Sequence, residues 1–579
     1  MQPHLLSTKN PWLIALSGFV LALILALTLA LFGWFHPVLT IVAGIFLFGG
    51  SGLAVWVLYR ERDRWRLSLI GILILFSVLI ALRTEPTIFT GRDQGSIALA
   101  SLELAANHEL PFQSPTSDAF FDIYGPGRAL NFPGFSYTET GSLITQFPVG
   151  YISYLGLFVS WFGLSGLIIA NAFLFTLSGW TFFELLSLFV TRRNAILGTT
   201  LFATSFLAIW LTQLTLTENL ALLLFLSMAV ALTRFDRDSN PRFLPLLILL
   251  GFLLALTRIE GFVIAPLALA YVLFRPTLRA HLFALPKIWA IPTVVFLAFL
   301  FLRDLYMNLP FYTMIAKAAL KYWHEVSSVV GDESEPSLGP ILFSYGLFPV
   351  FIFGITSVAF GLMKRRLVFF IPFLLTFPTF IYLINGHISD DHPWLLRRYA
   401  FTLFPFFLLA TIVLWESWEQ ALPVAKKKLA GFAIFFLLFA SQLYPAYQAL
   451  SVSEYSTLRE QASDFGAQFS DADLILIDRG ATGDPFAMIT GPLAALDKKN
   501  AVYFFNPEDY ARLNRSAFEH FYLLTTEDSL GRYVEAFGDN LLPVEVRSFS
   551  FPILAAPTAF AWPQESNTKS DAILFEITN

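Results

Sequence analysis

Along most of this 579-residue chain the apolar residues come in long unbroken runs, not in the alternation of a half-buried strand or a surface helix. A membrane-crossing helix takes about 20 apolar residues, with about 17 as a working minimum. Runs near 12–33, 37–59, 67–83, 166–190, 194–211, 217–233, 243–257, 261–274, 287–303, 340–361, 367–384, 399–416 and 429–447 predict about 13 spans. Two of them, 243–257 and 261–274, are short. The run 147–163 is also apolar enough to cross.

Loop charge decides how 147–163 is read, because Lys and Arg collect in cytoplasmic loops. With Arg60, Arg62, Arg64 and Arg66 inside and 147–163 lying in the outer interface, the later basic loops also fall inside. These are Arg192–Arg193, then Arg234, Arg237 and Arg242, then Arg275 and Arg279, then Lys364–Arg366, and finally Lys426–Lys428. A full crossing at 147–163 would invert every one of them. The expectation is an interfacial or re-entrant helix there, with the N-terminus cytoplasmic and the C-terminus outside.

The pattern changes after about residue 450. Asp473–Asp478, Ala501–Phe505 and Phe521–Thr525 read as strands with helical stretches between them, a small βαβ-type domain. The chain divides into an N-terminal transmembrane hairpin (1–66), a transmembrane domain (67–450) with a long outer loop (84–165), and an extracytoplasmic α/β domain (451–579). No glycine-rich nucleotide fingerprint opens a helix in that last domain, so it is assigned no cofactor.

Composition fits a polytopic α-helical membrane protein: 56% hydrophobic, 14% charged, 63 Phe and a mean hydropathy of +0.65. A formal net charge of −5 argues against nucleic acid as a partner. Zero Cys excludes disulfides and thiolate chemistry. The first apolar run is too long for a signal-peptide core and reads as an uncleaved span.

The candidate chemistry lies at the outer ends of the spans. Asp93, in Thr90-Gly-Arg92-Asp93-Gln94-Gly95, precedes an amphipathic run through Ala106 that suits a helix lying flat on the bilayer. An Asp there also suits a helix N-cap. Glu218 opens another span, and Arg258 with Glu260 suits a local ion pair at a turn. Taken together they put an Asp, a Glu and an Arg on one side, which scattered capping does not require. The loop from His387 to Tyr399 is the densest polar cluster of the transmembrane half. Asp390, Asp391 and His392 are weak candidates for a divalent metal, since their spacing matches no specific motif. Arg397 and Arg398 break the positive-inside pattern and suit a lipid phosphate. Lys317 adds a cation beside outer aromatics.

This order of features resembles the GT-C superfamily of membrane glycosyltransferases. It is similar to the polyprenyl-phosphate-sugar-dependent branch, which includes protein mannosyltransferases and lipid A aminoarabinose transferases. The resemblance rests on Arg92-Asp93-Gln94-Gly95, Gln146-Phe147-Pro148, Leu216-Thr217-Glu218-Asn219, Leu256 to Gly261, and His392 to Tyr399. It implies an acidic base in the first outer loop, which Asp93 matches, and a second acidic group that Glu218 matches. The family often has another acid beside the first; here the neighbours are Arg92 and Gln94, which favours a single base over a metal-bridged pair.

The resemblance implies an inverting transfer of a sugar from a polyprenyl-phosphate carrier to a hydroxyl on a glycan, lipid or protein. The expected place is the outer face of the cytoplasmic (inner) membrane, with no cofactor required and a divalent metal allowed. Asp93 would be the base, Arg92, Arg258, Lys317, Arg397 and Arg398 substrate ligands, and Glu218 an orienting group. The rival readings are a lipid-linked oligosaccharide ligase or polymerase, and a lipid or glycan transporter. A transporter would show repeated halves with midplane charges, whereas these charges sit at span ends and no repeat is visible.

Overall fold

The computed structural model describes residues 10–325, 338–365, 367–384, 391, 393–556, 558 and 560–578. Among them, seven helices are each long and apolar enough to cross a membrane, and up to eleven spans result if each of four bent helix pairs counts as one. Phe243–Ala255 and Phe370–Leu383 are shorter apolar helices. Unbroken apolar runs overstate straight spans because several of them bend. Arg192–Ala203 and Phe206–Gln213 meet at 51°, and Leu338–Ser344 and Phe348–Met363 at 119°. At the second break Gly346 takes φ +69°, and a Cβ there would lie 2.2 Å from the Ser441 carbonyl oxygen.

The helices differ in what covers them. Thr217–Asp238 is 94% buried over its apolar window and forms the centre of the bundle, whereas Lys287–Met307 is only 17% buried. Ile288, Trp289, Val294 and Val295 on that outer helix are left exposed by the described residues. A helix apolar on its outer face suits lipid as its solvent. This is a multi-pass membrane protein.

Charge sorts to the two ends of the bundle. At one end Glu184, almost fully buried, pairs with Arg66 at 2.9 Å and Arg234 at 2.6 Å. Nearby Asp63 holds Arg66 at 2.8 Å and Arg192 at 2.7 Å, and Arg193 meets Glu419 at 2.8 Å. Four of the basic positions, Arg66, Arg192, Arg193 and Arg234, thus gather at this end. Glu218 begins the central helix that carries Arg234 near its other end, so the two poles are about 24 Å apart at 1.5 Å per residue.

The helix Val149–Phe162 runs from the pole away from the basic cluster to the middle of the first two helices, with Tyr154 5.7 Å from Phe19 and Phe158 6.3 Å from Phe48. Gly150 N–H donates to the Leu256 carbonyl at 2.9 Å, and Trp161 Nε1 donates to Thr40 Oγ1 at 3.2 Å. It turns back at Gly163 (φ +59°) and lies against Gly166–Leu186, where Tyr151 Oη donates to Asn171 Oδ1 at 2.6 Å. The helix Asp93–Asn107 packs on it, with Leu104 against Gly156. Its apolar face (Ile97, Ala98, Leu104) is therefore buried by protein, where the sequence suggested a face resting on lipid.

The segment 84–165, the long loop of the sequence reading, carries a three-stranded antiparallel sheet: β1 (Gly127–Arg128), β2 (Phe135–Tyr137) and β3 (Leu143–Thr145). The C-terminal domain holds β4 (Leu474–Ile477), β5 (Asn500–Tyr503), β6 (Phe521–Thr526), β7 (Leu541–Ala555) and β8 (Gln564–Ile577) in the order β5-β4-β6-β8-β7. β4 is parallel to both β5 and β6. All four of its residues are buried, as expected for a central parallel strand. The long antiparallel pair β7–β8 was not legible in the sequence. The sheet domain docks on the outer loop: Asn131 Nδ2 donates to Tyr503 O at 2.6 Å, and Tyr124 Oη donates to Asp509.

Candidate active site

Asp93 is the first residue of its helix, and Arg92, in extended backbone, occupies the N-cap position. The sequence allowed Asp93 as the cap; instead its carboxylate pairs with Arg397, Nη1 to Oδ2 at 2.6 Å. The turn is tight. A Cβ on Gly95 would lie 1.7 Å from the Phe89 carbonyl oxygen, so only glycine fits. Ser96 Oγ donates to Pro133 O at 2.8 Å and ties the first helical turn to the outer loop.

Behind Asp93 lies a buried network. Glu218 Oε1 is 2.6 Å from Arg258 Nη1 and 3.8 Å from Arg397 Nε. Arg258 also grips Glu260 through two bonds, Nε to Oε2 at 3.0 Å and Nη2 to Oε1 at 2.7 Å. Glu260 accepts from Tyr382 Oη at 2.7 Å and stands 3.7 Å from Arg398. Burial by itself would raise the Glu260 carboxyl. The adjoining Arg258, helped by Arg398 and Tyr382, outweighs it and holds the group well below the usual carboxylate range. Three carboxylates and three guanidiniums therefore neutralise one another.

Exposure separates their roles. The side chains of Glu218 and Glu260 are 1% and 8% exposed, whereas Asp93 is 40% exposed. Of these three acids, only Asp93 can meet a substrate. All three nitrogens of Arg258 are engaged, so it braces the network. In Arg397 and Arg398 the Nε donors have no hydrogen-bond partner among the described residues.

Aromatic faces fix the remaining cations. Trp394 lies 4.4 Å from the Arg397 guanidinium and 4.3 Å from that of Arg92. Arg92 is also 3.8 Å from the Phe486 ring, and its Nη2 pairs with Asp391. Such stacking orients a planar guanidinium. A cavity of about 440 Å³ adjoins Arg92, walled by Gln94, Trp210, Asp391, Glu454 and Asp484. Burial, with Asp484 nearby, pushes the Glu454 carboxyl up to about 7.

The structure thus brings together Arg92, Asp93, Glu218, Arg258, Arg397 and Arg398. Lys317 stands exposed on Leu309–Glu325 and makes no ion pair with a described residue. Asp390 and His392 lie outside the described residues, and Asp391 is committed to Arg92. Among the described residues no group of three His, Asp or Glu is placed to hold a metal ion. Sequence reasoning missed Tyr382 and Phe486 and left Glu260 as a merely local partner. Trp394 stood inside the polar run already singled out, but Phe486 carried no signal in its own neighbourhood.

A polytopic helical bundle with a buried charge network at one pole, capped by a sheet domain, is the class that fold and site define. No protein-family model and no curated protein matches the sequence. Among solved structures, the chain is similar to the oligosaccharyltransferase of Archaeoglobus fulgidus in complex with Zn and sulfate, with TM-score 0.50 and 13% identity over 86% of this chain and 73% of that one. It also matches ArnT from Cupriavidus metallidurans in the apo state, with TM-score 0.49 and 10% identity over 89% of this chain and 98% of that one. At these identities the likeness is one of fold.

Proposed function

We propose that this protein is a GT-C-type membrane glycosyltransferase that takes a sugar from a polyprenyl-phosphate carrier. The observation that carries the reading is Asp93: an accessible carboxylate held by Arg397 in front of a buried, self-neutralised network. A hydroxyl on a glycan, lipid or protein attacks the anomeric carbon while Asp93 Oδ accepts its proton. The bond from that carbon to the phosphate oxygen breaks, and polyprenyl phosphate leaves with the electron pair. Attack opposite the leaving group inverts the anomeric centre.

Arg397, which holds Asp93 at 2.6 Å, and Arg398, 18% exposed, are assigned to the leaving phosphate, where negative charge develops. Arg92 lines the neighbouring cavity and is assigned to substrate. Lys317 is kept as an outer ligand for the carrier. Glu218 positions Arg397, and Arg258 braces Glu218. About 13 spans, an N-terminus in the cytoplasm and a site on the outer face of the cytoplasmic membrane complete the proposal, the basic pole facing inward as loop charge favours. The division into 1–66, 67–450 and 451–579 belongs to it as well.

Purified protein in lipid nanodiscs, given radiolabelled undecaprenyl-phosphate hexose or pentose, should consume one of them, with or without a chelator. Asp93→Asn should abolish transfer while the protein still folds; retained activity would sink the base assignment. Consumption only of a diphosphate-linked donor would instead favour the oligosaccharide ligase or polymerase.

A further inference from the structure

We infer that the C-terminal domain is a positioning element of the catalytic turn, acting through Asp484–Gly491, so that the working site needs both halves of the chain. This rests on the reading of Asp93 as the base.

Residues 88, 90, 91 and 92 each meet that segment, and Phe89 between them enters the core of the same domain. A Cβ on Gly491 would lie 2.3 Å from the Ile88 carbonyl oxygen, so the two backbones touch. Phe89 belongs to the apolar core of the C-terminal domain, with its ring 5.4 Å from that of Tyr455. Thr90 N–H donates to Met488 O at 3.3 Å, and the hydroxyls of Thr90 and Thr490 are 3.0 Å apart. A Cβ on Gly91 would lie 2.5 Å from the Phe486 Cα and carbonyl oxygen. The Phe486 ring covers the Arg92 guanidinium at 3.8 Å. Asp484 Oδ1 accepts from Phe486 N–H at 2.9 Å, which shapes the gripping segment from within.

Among the described residues Asp93 itself is anchored by one ion pair, to Arg397. Its remaining placement comes from the backbone on either side: the helix after it and the gripped turn before it. A misplacement of about 1 Å at a reacting group costs on the order of 100-fold in rate. The contacts are backbone-close and involve glycine on both sides, so a small shift of the domain is transmitted directly to Asp93. Phe486 is therefore a positioning residue.

The chain has no cysteine, so T90C/T490C would carry the only two thiols. Mild oxidation of the purified protein should cross-link them fully, and the oxidised protein should transfer sugar within about two-fold of the reduced protein. Failure to cross-link, or activity lost on oxidation and regained with reductant, overturns a standing grip. Phe486→Ala should lower kcat by roughly 10- to 100-fold with the KM for the undecaprenyl-phosphate donor unchanged, and Phe486→Tyr should restore it. A native kcat in Phe486→Ala overturns the positioning role, as does a fall that Phe486→Tyr fails to restore. Asp93→Asn in the same assay separates the failures. If it is inactive while Phe486→Ala is native, the positioning role alone falls; if it is fully active, the reading of the base falls and the inference with it. Should Phe486→Ala not fold, the cross-linking arm still decides.

Discussion

Glu218→Gln probes the buried network at its least replaceable contact. The substitution keeps the side-chain size and removes one charge. In the native protein Glu218 and Arg258 are 1% and 7% exposed and 2.6 Å apart. Removing one partner of a buried ion pair costs about 3–5 kcal/mol, because the survivor keeps its desolvation penalty without its partner. Here Arg258 retains both bonds to Glu260, at 3.0 and 2.7 Å, and Arg397 retains Asp93 at 2.6 Å. The loss should therefore fall to about 2–3 kcal/mol. Arg258→Met strands two carboxylates and should cost more than Glu218→Gln. The double variant should cost clearly less than the sum, since both changes delete one shared contact. Equilibrium unfolding in detergent, followed by intrinsic fluorescence from the 13 Trp, measures all three. A Glu218→Gln variant within ~0.5 kcal/mol of native, or strict additivity of the pair, would refute a load shared between Glu218 and Glu260.

Further outcomes are expected of the same protein. Asp93→Asn should reduce transfer by at least the factor of about 100 to 10,000 that a general base supplies, with little change in unfolding because the side chain is 40% exposed. The Glu454 carboxyl is raised to about 7 by burial, above its value in the unfolded chain. Its contribution to stability should thus be fully present below about pH 4.5 and lost as pH rises through about 7; Glu454→Gln should flatten that part of a pH–stability profile. Gly91→Ala forces a Cβ to within 2.5 Å of the Phe486 backbone and should expose a protease site between the domains that the native protein protects. Arg398→Gln should raise the KM for a lipid-phosphate donor more than Lys317→Gln does; equal effects would remove Arg398 from the phosphate site.

Much of this fold was legible because lipid imposes a coarse rule. Runs such as 12–33 and 217–233 had to be helices, since an unpaired backbone is too costly in hydrocarbon. Bends were not legible. Thr204–Ser205 and Gly346 break helices through local geometry and close packing that apolar counting cannot register. The strands at 474–477, 500–503 and 521–526 showed in β-branched and aromatic runs. Of the pair Leu541–Ala555 and Gln564–Ile577, the second was hidden because its first half is polar and mostly exposed, whereas the alternating Val and Phe of the first went unread. Asp93, Glu218, Arg258 and Arg397 could each be named from position alone. Their mutual pairing could not, and neither could Phe486, which reaches Arg92 from 394 positions further along the chain.

The sorting of charge follows from the same solvent. An ionised side chain at the bilayer centre costs about 2.5–3.5 kcal/mol even on insertion scales. A membrane enzyme that needs an ionised base beside several cations must therefore collect them where spans end. Turns such as 256–260 and helix starts such as Thr217 and Asp93 are the places available. Each such residue is individually explained by capping or by a local ion pair, which is why no single motif was decisive. What capping does not require is convergence. Asp93, Glu218, Glu260 and Arg397 come from four separate helix ends, yet they lie within one connected set of contacts no longer than 3.8 Å. Three of the four are nearly buried, and the one left accessible is Asp93. Deleting Asp93 would leave Arg397, only 10% exposed, with Glu218 at 3.8 Å as its remaining carboxylate, so the accessible acid also balances charge in the network behind it.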